Sequence, residues 1–226
     1  MSLSLGTLGL LWLWATLAGL DLVSILQVQV ARPLIAGPIA GWLLGDVDTG
    51  LRIGAVLELF ALDVVPVGSS KYPDFGAATI GAVGYGVGTD WNVTLGASVL
   101  VGVALATLGG ASLPLGRRLT ARVIRARTAG LAEGDPETVR AVHLTGLAHD
   151  VLRSSILAAL AVATAVTGRW LEVRPGPALG GALTSVALVG AAWGVAHGAM
   201  TTARTGPRWR WAATGLAAGT LLAWQR

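Results

Sequence analysis

Apolar residues in this chain come in long blocks, and most charged residues fall in the gaps between them. Residues 1–20, 91–116 and 175–203 contain no Asp, Glu, Lys or Arg, and shorter uncharged runs lie at 33–45, 75–89, 154–168 and 211–225. A helix needs about 20 mostly apolar residues to cross the hydrocarbon of a bilayer. A soluble chain of this length has too little interior to hide so many such runs. The pattern predicts an all-α, polytopic integral membrane protein forming one membrane domain over residues 1–226.

The two halves of the pattern differ. A first span over about 5–25 ends in a region carrying Asp21, Gln27 and Gln29, and Arg32-Pro33 then breaks the helix, because proline disfavours a helical residue before it. The block at 33–45 is too short to cross upright, 50–68 carries Arg52, Glu58 and Asp63 inside it, and 75–88 is again short. Short segments interrupted by Gly and Pro predict broken or re-entrant helices over 5–90. By contrast 91–113 reads as a clean span and 143–226 as C-terminal helices, the last of them, 211–224, short for a crossing. Between them, 114–142 is a basic loop whose first half is expected to form an amphipathic surface helix. Its six Arg (117, 118, 122, 125, 127 and 140) outweigh Glu133, Asp135 and Glu137, which places it in the cytoplasm by the positive-inside rule.

Composition sharpens this picture. Only 12% of the 226 residues are charged, against roughly 25% in soluble domains. The net charge of +4 comes from Arg in loops between apolar blocks, so it implies contact with membrane lipid and no nucleic-acid partner. With no Cys, disulfides and thiolate metal sites are excluded. Residues 1–20 lack a basic start and a small-residue cleavage site, and are expected to be a retained helix. Gly37, Gly41 and Gly45 are spaced by four, as are Gly190, Gly194 and Gly198. Each set forms a ridge that lets another helix approach closely, within the chain or from another membrane subunit.

An ionisable group inside apolar sequence is costly and usually faces a polar cavity or a partner. Glu58 is the leading candidate, with an ion pair to Arg32 or Arg52 as its structural alternative. Gln29 offers an amide that both donates and accepts, suited to a neutral polyol, or is an interfacial residue satisfied by water. Asp74, after Tyr72-Pro73, can accept from hydroxyls or cap a helix; Asp63 and Asp21 complete the candidate substrate-binding set. No catalytic residue, metal site or cofactor is expected. His143 and His149 are six apart, a poor spacing for a metal pair, and His197 stands alone. Gly84-Tyr85-Gly86-Val87-Gly88 lacks the strand–helix setting of a dinucleotide fingerprint, and neither a Walker motif nor a G-x-S-x-G elbow occurs.

One set of motifs is specific when joined. Gln29 followed by Arg32-Pro33-Leu34-Ile35-Ala36, then Leu44-Gly45-Asp46 with Thr49-Gly50, then Gly54 with Leu57-Glu58-Leu59, and finally Pro73-Asp74, resembles the IIC component of the mannose/fructose/sorbose family of bacterial phosphotransferase (PTS) sugar permeases. The resemblance implies an inner-membrane, multi-pass permease that binds and translocates a hexose. It implies a IID membrane subunit and cytoplasmic IIA and IIB proteins as partners, and a homo-oligomer within a larger complex. Since IIB donates the phosphate, IIC needs no nucleophile of its own. Gln29, Glu58 and Asp74 fall on polar family positions near the sugar path. Two departures stand out: Pro66 occupies a position where the family usually carries Asn, and the chain is shorter at its C-terminus than typical members. They motivate the alternative of a non-transporting membrane scaffold or sensor with the same fold.

Overall fold

The computed structural model describes residues 3–25, 27–62, 64, 71–170 and 175–201, the side chains of 91–92, 169–170 and 197–201 apart. Eight helices occupy them: α1 (Leu5–Val23), α2 (Pro33–Leu44), α3 (Val47–Ala61), α4 (Phe75–Gly86), α5 (Trp91–Ala126), α6 (Thr128–Ala132), α7 (Pro136–Trp170) and α8 (Pro177–Thr201). Four of these, α1, α5, α7 and α8, contain stretches long and apolar enough to cross a bilayer. At about 1.5 Å per residue, α2 and α4 reach only about 18 Å and α3 about 22 Å. All three fall short of the roughly 30 Å hydrocarbon core. The expected division into short, broken helices and full spans therefore holds.

The α2–α3 hairpin is closed by backbone-to-backbone contact. A Cβ on Gly37 would lie 2.5 Å from the Gly50 carbonyl oxygen and 3.0 Å from the Gly54 Cα, and one on Gly41 would lie 3.0 Å from the Gly50 Cα. Neither neighbour can yield, because both are main chain. The third member of that ridge, Gly45, has another job: it ends α2 in the left-handed conformation, at φ 82°. Asp46 then starts α3, its carboxylate accepting from the Thr49 amide at 3.0 Å. The second ridge also faces inward, Gly190 lying 3.3 Å (measured from a Cβ built there) from the Phe60 ring and Gly194 lying beside Leu59 on α3. So Gly37, Gly41, Gly190 and Gly194 all meet α3 within the chain.

Every residue of α4 is buried. It packs chiefly between α5 and α7, with α1, α2 and α3 closing around it. Its small residues make this possible, Gly81 and Gly84 meeting Ala161 and Ala165 of α7 at distances a side chain would not allow. The C-terminal half departs from expectation at 114–142. Instead of stopping near Leu113, α5 passes Pro114 and runs unbroken to Ala126, and only a turn and the short α6 separate it from α7. The separate surface helix and loop are replaced by the ends of two long helices. At 36 and 35 residues, α5 and α7 are each about 50 Å long and overshoot the hydrocarbon by several turns. The charged ends, Arg-rich in α5 and mixed in α7, form that overshoot because charged side chains are excluded from lipid.

Candidate functional site

The ends of α1 and α3 and the starts of α2 and α4 converge on a cleft of about 310 Å³. Helix ends carry backbone N–H and C=O groups without intrahelical partners, so a polar pocket forms naturally where four of them meet. Asp21, Gln27, Gln29 and Arg32 supply its polar wall; Leu22, Pro33, Ala61, Pro73 and Phe75 supply much of the remainder.

The loop after α1 shows how the polar wall is built. Gln27 and Gln29 have φ values of 50° and 73°, the only non-glycine residues with positive φ among those described. Left-handed backbone costs a side-chain-bearing residue roughly 1–2 kcal/mol. Asp21, 3% exposed, offsets that cost. Its carboxylate accepts from the Val28 amide at 2.7 Å and from the Ala31 amide at 3.1 Å. Such charge-assisted bonds contribute about 1.5–3 kcal/mol each. Asp21 thus lines the cleft while both its oxygens hold the loop that presents the glutamines. A further tie comes from α7, where Asp150 accepts a hydrogen bond from the Ser24 hydroxyl.

Glu58 reaches the cleft through Arg32. The two side chains form an ion pair, and a second bond links Arg32 Nε to Glu58 Oε1 at 2.8 Å. The other carboxylate oxygen accepts from the Leu34 amide at 3.1 Å. That amide is an orphan donor in the first turn of α2, where a negative charge also meets the positive end of the helix dipole. Arg52, the other partner considered for Glu58, pairs instead with Asp48 at 2.6 Å on the exposed face of α3.

Asp74 does not line the cleft. It is fully buried, with its Oδ2 accepting from Arg153 Nη2 at 2.6 Å. Arg153 also donates to the Gly109 carbonyl at 3.0 Å and to the Ser112 hydroxyl at 2.8 Å, both on α5. The chain can lie this close to α5 because Gly109 and Gly110 have no side chains: a Cβ at Gly110 would fall 2.3 Å from the Tyr72 carbonyl. Asp63 and Pro66 lie outside the described residues. Of the five expected site residues, then, Gln29 and Asp21 meet in the cleft, Glu58 acts on it through Arg32, and Asp74 sits behind its wall. Gln27 was visible in the sequence without a role there, and Arg32 only as a motif residue and a possible ion-pair partner of Glu58. Arg153 was missed altogether; it precedes the apolar run 154–168 and looks like the polar end of a span, although it is only 9% exposed.

With this geometry in place, the comparisons with known proteins are decisive about family. Residues 6–196 match the model of the PTS system sorbose-specific IIC component. The chain belongs to this family. Among curated IIC proteins it is 31% identical to the fructose permease IIC component of Bacillus subtilis (strain 168) over 57% of this chain and 47% of the relative. It is 30% identical to the sorbose-specific EIIC component of Lacticaseibacillus casei over 69% and 55%. With the mannose-specific EIIC component of Escherichia coli (strain K12), identity is 29% over 74% and 62%. The chain thus spans about half to three-fifths of the length of these relatives. The fold recurs in a solved membrane protein at TM-score 0.77, and in the mannose transporter ManYZ in complex with microcin E492 at TM-score 0.63. Both are 22% identical over 97% of this chain and 88% of theirs. With four helices long and apolar enough to cross a bilayer among the described residues, the chain is a multi-pass membrane protein.

Proposed function

We propose that the chain is the membrane permease subunit of a mannose/fructose/sorbose-type phosphotransferase system, and that a hexose binds in the cleft between α1, α2, α3 and α4. The observation that carries this reading is the pair Gln27 and Gln29, held in left-handed backbone and lining a 310 Å³ cleft in a chain of the IIC family. A neutral sugar offers hydroxyls that both donate and accept, and a primary amide answers both. Gln29 and Gln27 bond the hydroxyls. Arg32 adds directed donors, kept in place by Glu58, and Asp21 keeps the loop in shape. Phosphate comes from a cytoplasmic IIB protein charged by IIA, and a IID subunit completes the membrane complex, so this chain binds and moves the sugar without a nucleophile.

Gln29→Gly separates the amide from the backbone, because glycine is at ease at φ 73°. Gln29 is exposed, so its loss removes a net hydrogen bond of about 0.5–1.5 kcal/mol, and hexose affinity of the purified protein should fall roughly 2- to 12-fold. Glu58→Gln, which releases Arg32, should sharply reduce uptake and phosphorylation in cells supplied with IIA, IIB and IID. Undiminished affinity and uptake in both variants at normal expression would reject the assignment, and binding without uptake in the parent would favour the non-transporting scaffold.

A further inference from the structure

We propose that Asp150 and Arg153 of α7 are positioning residues that set the width of the cleft by holding its two rims from behind. They stand three positions apart, on one face of the helix. Asp150 takes the Ser24 hydroxyl, three residues before Gln27. Arg153 takes Asp74, which stands between Pro73 and Phe75, both in the cleft wall. One helix thereby grips the loop that carries the glutamines and, one turn on, the segment that closes the opposite side.

The two grips differ in kind. Around Arg153 the guanidinium is forked over three acceptors on two elements: the Asp74 carboxylate, the Gly109 carbonyl and the Ser112 hydroxyl. A planar, always-charged fork spreads its donors over three nitrogens and can do this, whereas a lysine ammonium gathers its three donors on one nitrogen. Beside Ser24 lies a second cavity of about 360 Å³, also lined by Thr120, His143 and Asp150. Packing therefore leaves Ser24 free on that side, and its hydrogen bond to Asp150 fixes its place. Neither Asp150 nor Arg153 is in the wall of the 310 Å³ cleft, so neither touches what binds there. Their effect on a ligand passes through Ser24 and Asp74. α7 also continues back to Pro136 at the Arg-rich turn. A shift of that helix would move both rims together.

This inference rests on reading the cleft as the hexose site, and the test keeps the two apart. The chain has no cysteine, so Val28→Cys and Lys71→Cys place two spin labels on exposed residues of opposite rims, outside the cleft wall. Pulsed electron paramagnetic resonance in lipid nanodiscs gives the distance distribution, and hexose affinity is measured on the same unlabelled background. Asp150→Ala, Ser24→Ala and Arg153→Gln should each broaden the distribution and weaken hexose binding roughly 2- to 30-fold. Asp150→Ala combined with Ser24→Ala should be no worse than either alone, and Arg153→Lys should recover only part of the loss. Unchanged widths in folded Asp150→Ala and Ser24→Ala overturn the proposal, whether or not Arg153→Gln folds. Weakened binding at unchanged width overturns it too, since the residues would then act by another route. If the parent binds no hexose while the variants broaden, the sugar assignment falls and the positioning role stands.

Discussion

The chain divides into a region of short helices, α2 to α4 with their connecting segments, and a region of long ones, α5, α7 and α8. In the long helices most backbone polar groups bond within the helix, so side chains facing lipid need only be apolar: Leu152, Ile156, Val189 and Trp193 are all more than half exposed. In the short region, helix ends stop inside the membrane layer and leave donors and acceptors that must be satisfied there. Asp21, in the last turn of the span α1 that leads into this region, and Glu58 and Asp74 within it all lie at such ends, bonding respectively a loop, a helix start and an arginine. The comparison teaches that polar side chains in this fold are placed first by the needs of broken backbone, and that a binding cleft arises where those needs converge.

The seam between the regions should be the most sensitive point. Arg153→Leu leaves Asp74 buried without its partner, and breaking such a pair costs about 3–5 kcal/mol. Thermal melting in detergent should show a large loss, with most of it recovered when Asp74→Asn is added. A double variant as unstable as the single one would mean that shape, rather than charge, governs the seam.

Within the short region, Gly50→Val should cost roughly 1–3 kcal/mol or more, because its Cβ would fall 2.4 Å from the Gly37 carbonyl oxygen. The counterpart in the long region is Leu152→Ala, on a side chain 61% exposed. Surface changes away from special features usually stay within about 0.5 kcal/mol. Equal destabilisation by these two substitutions would erase the distinction between the regions.

The smallest effect is expected at the turn outside the membrane. Asp135 accepts from the Thr138 hydroxyl at 2.5 Å and the Thr138 amide at 3.0 Å, at the start of α7. These bonds hold its carboxyl below the usual carboxylate range. A depressed folded pKa means that its contribution is present above the unfolded value and is lost as pH falls through the folded one. The Thr138 amide resonance should therefore be steady above about pH 5 and move only below the ordinary aspartate value of about 3.9. Asp135→Asn should abolish that titration, and a midpoint above the ordinary value would contradict the geometry.

Much of this protein is legible in its sequence, because lipid imposes a simple rule: a long uncharged run must be a helix, and a short one must be broken or supported. The division at residue 90, the stop and restart at Gly45-Asp46, and the family motifs from Gln29 to Asp74 all follow from local order. What local order cannot convey is which side chains across the chain become partners. Glu58 could have met Arg52, six residues away, but the fold gave it Arg32 and the start of α2. Asp74 and Arg153, 79 residues apart, look in sequence like a loop acid and a helix-end base. Likewise the glycine ridges announce close approach without naming the neighbour, which proved to be α3 for both. Sequence determines what each segment can bury. Only tertiary structure decides what it is buried against, because a buried charge takes whichever opposite charge packing brings within reach.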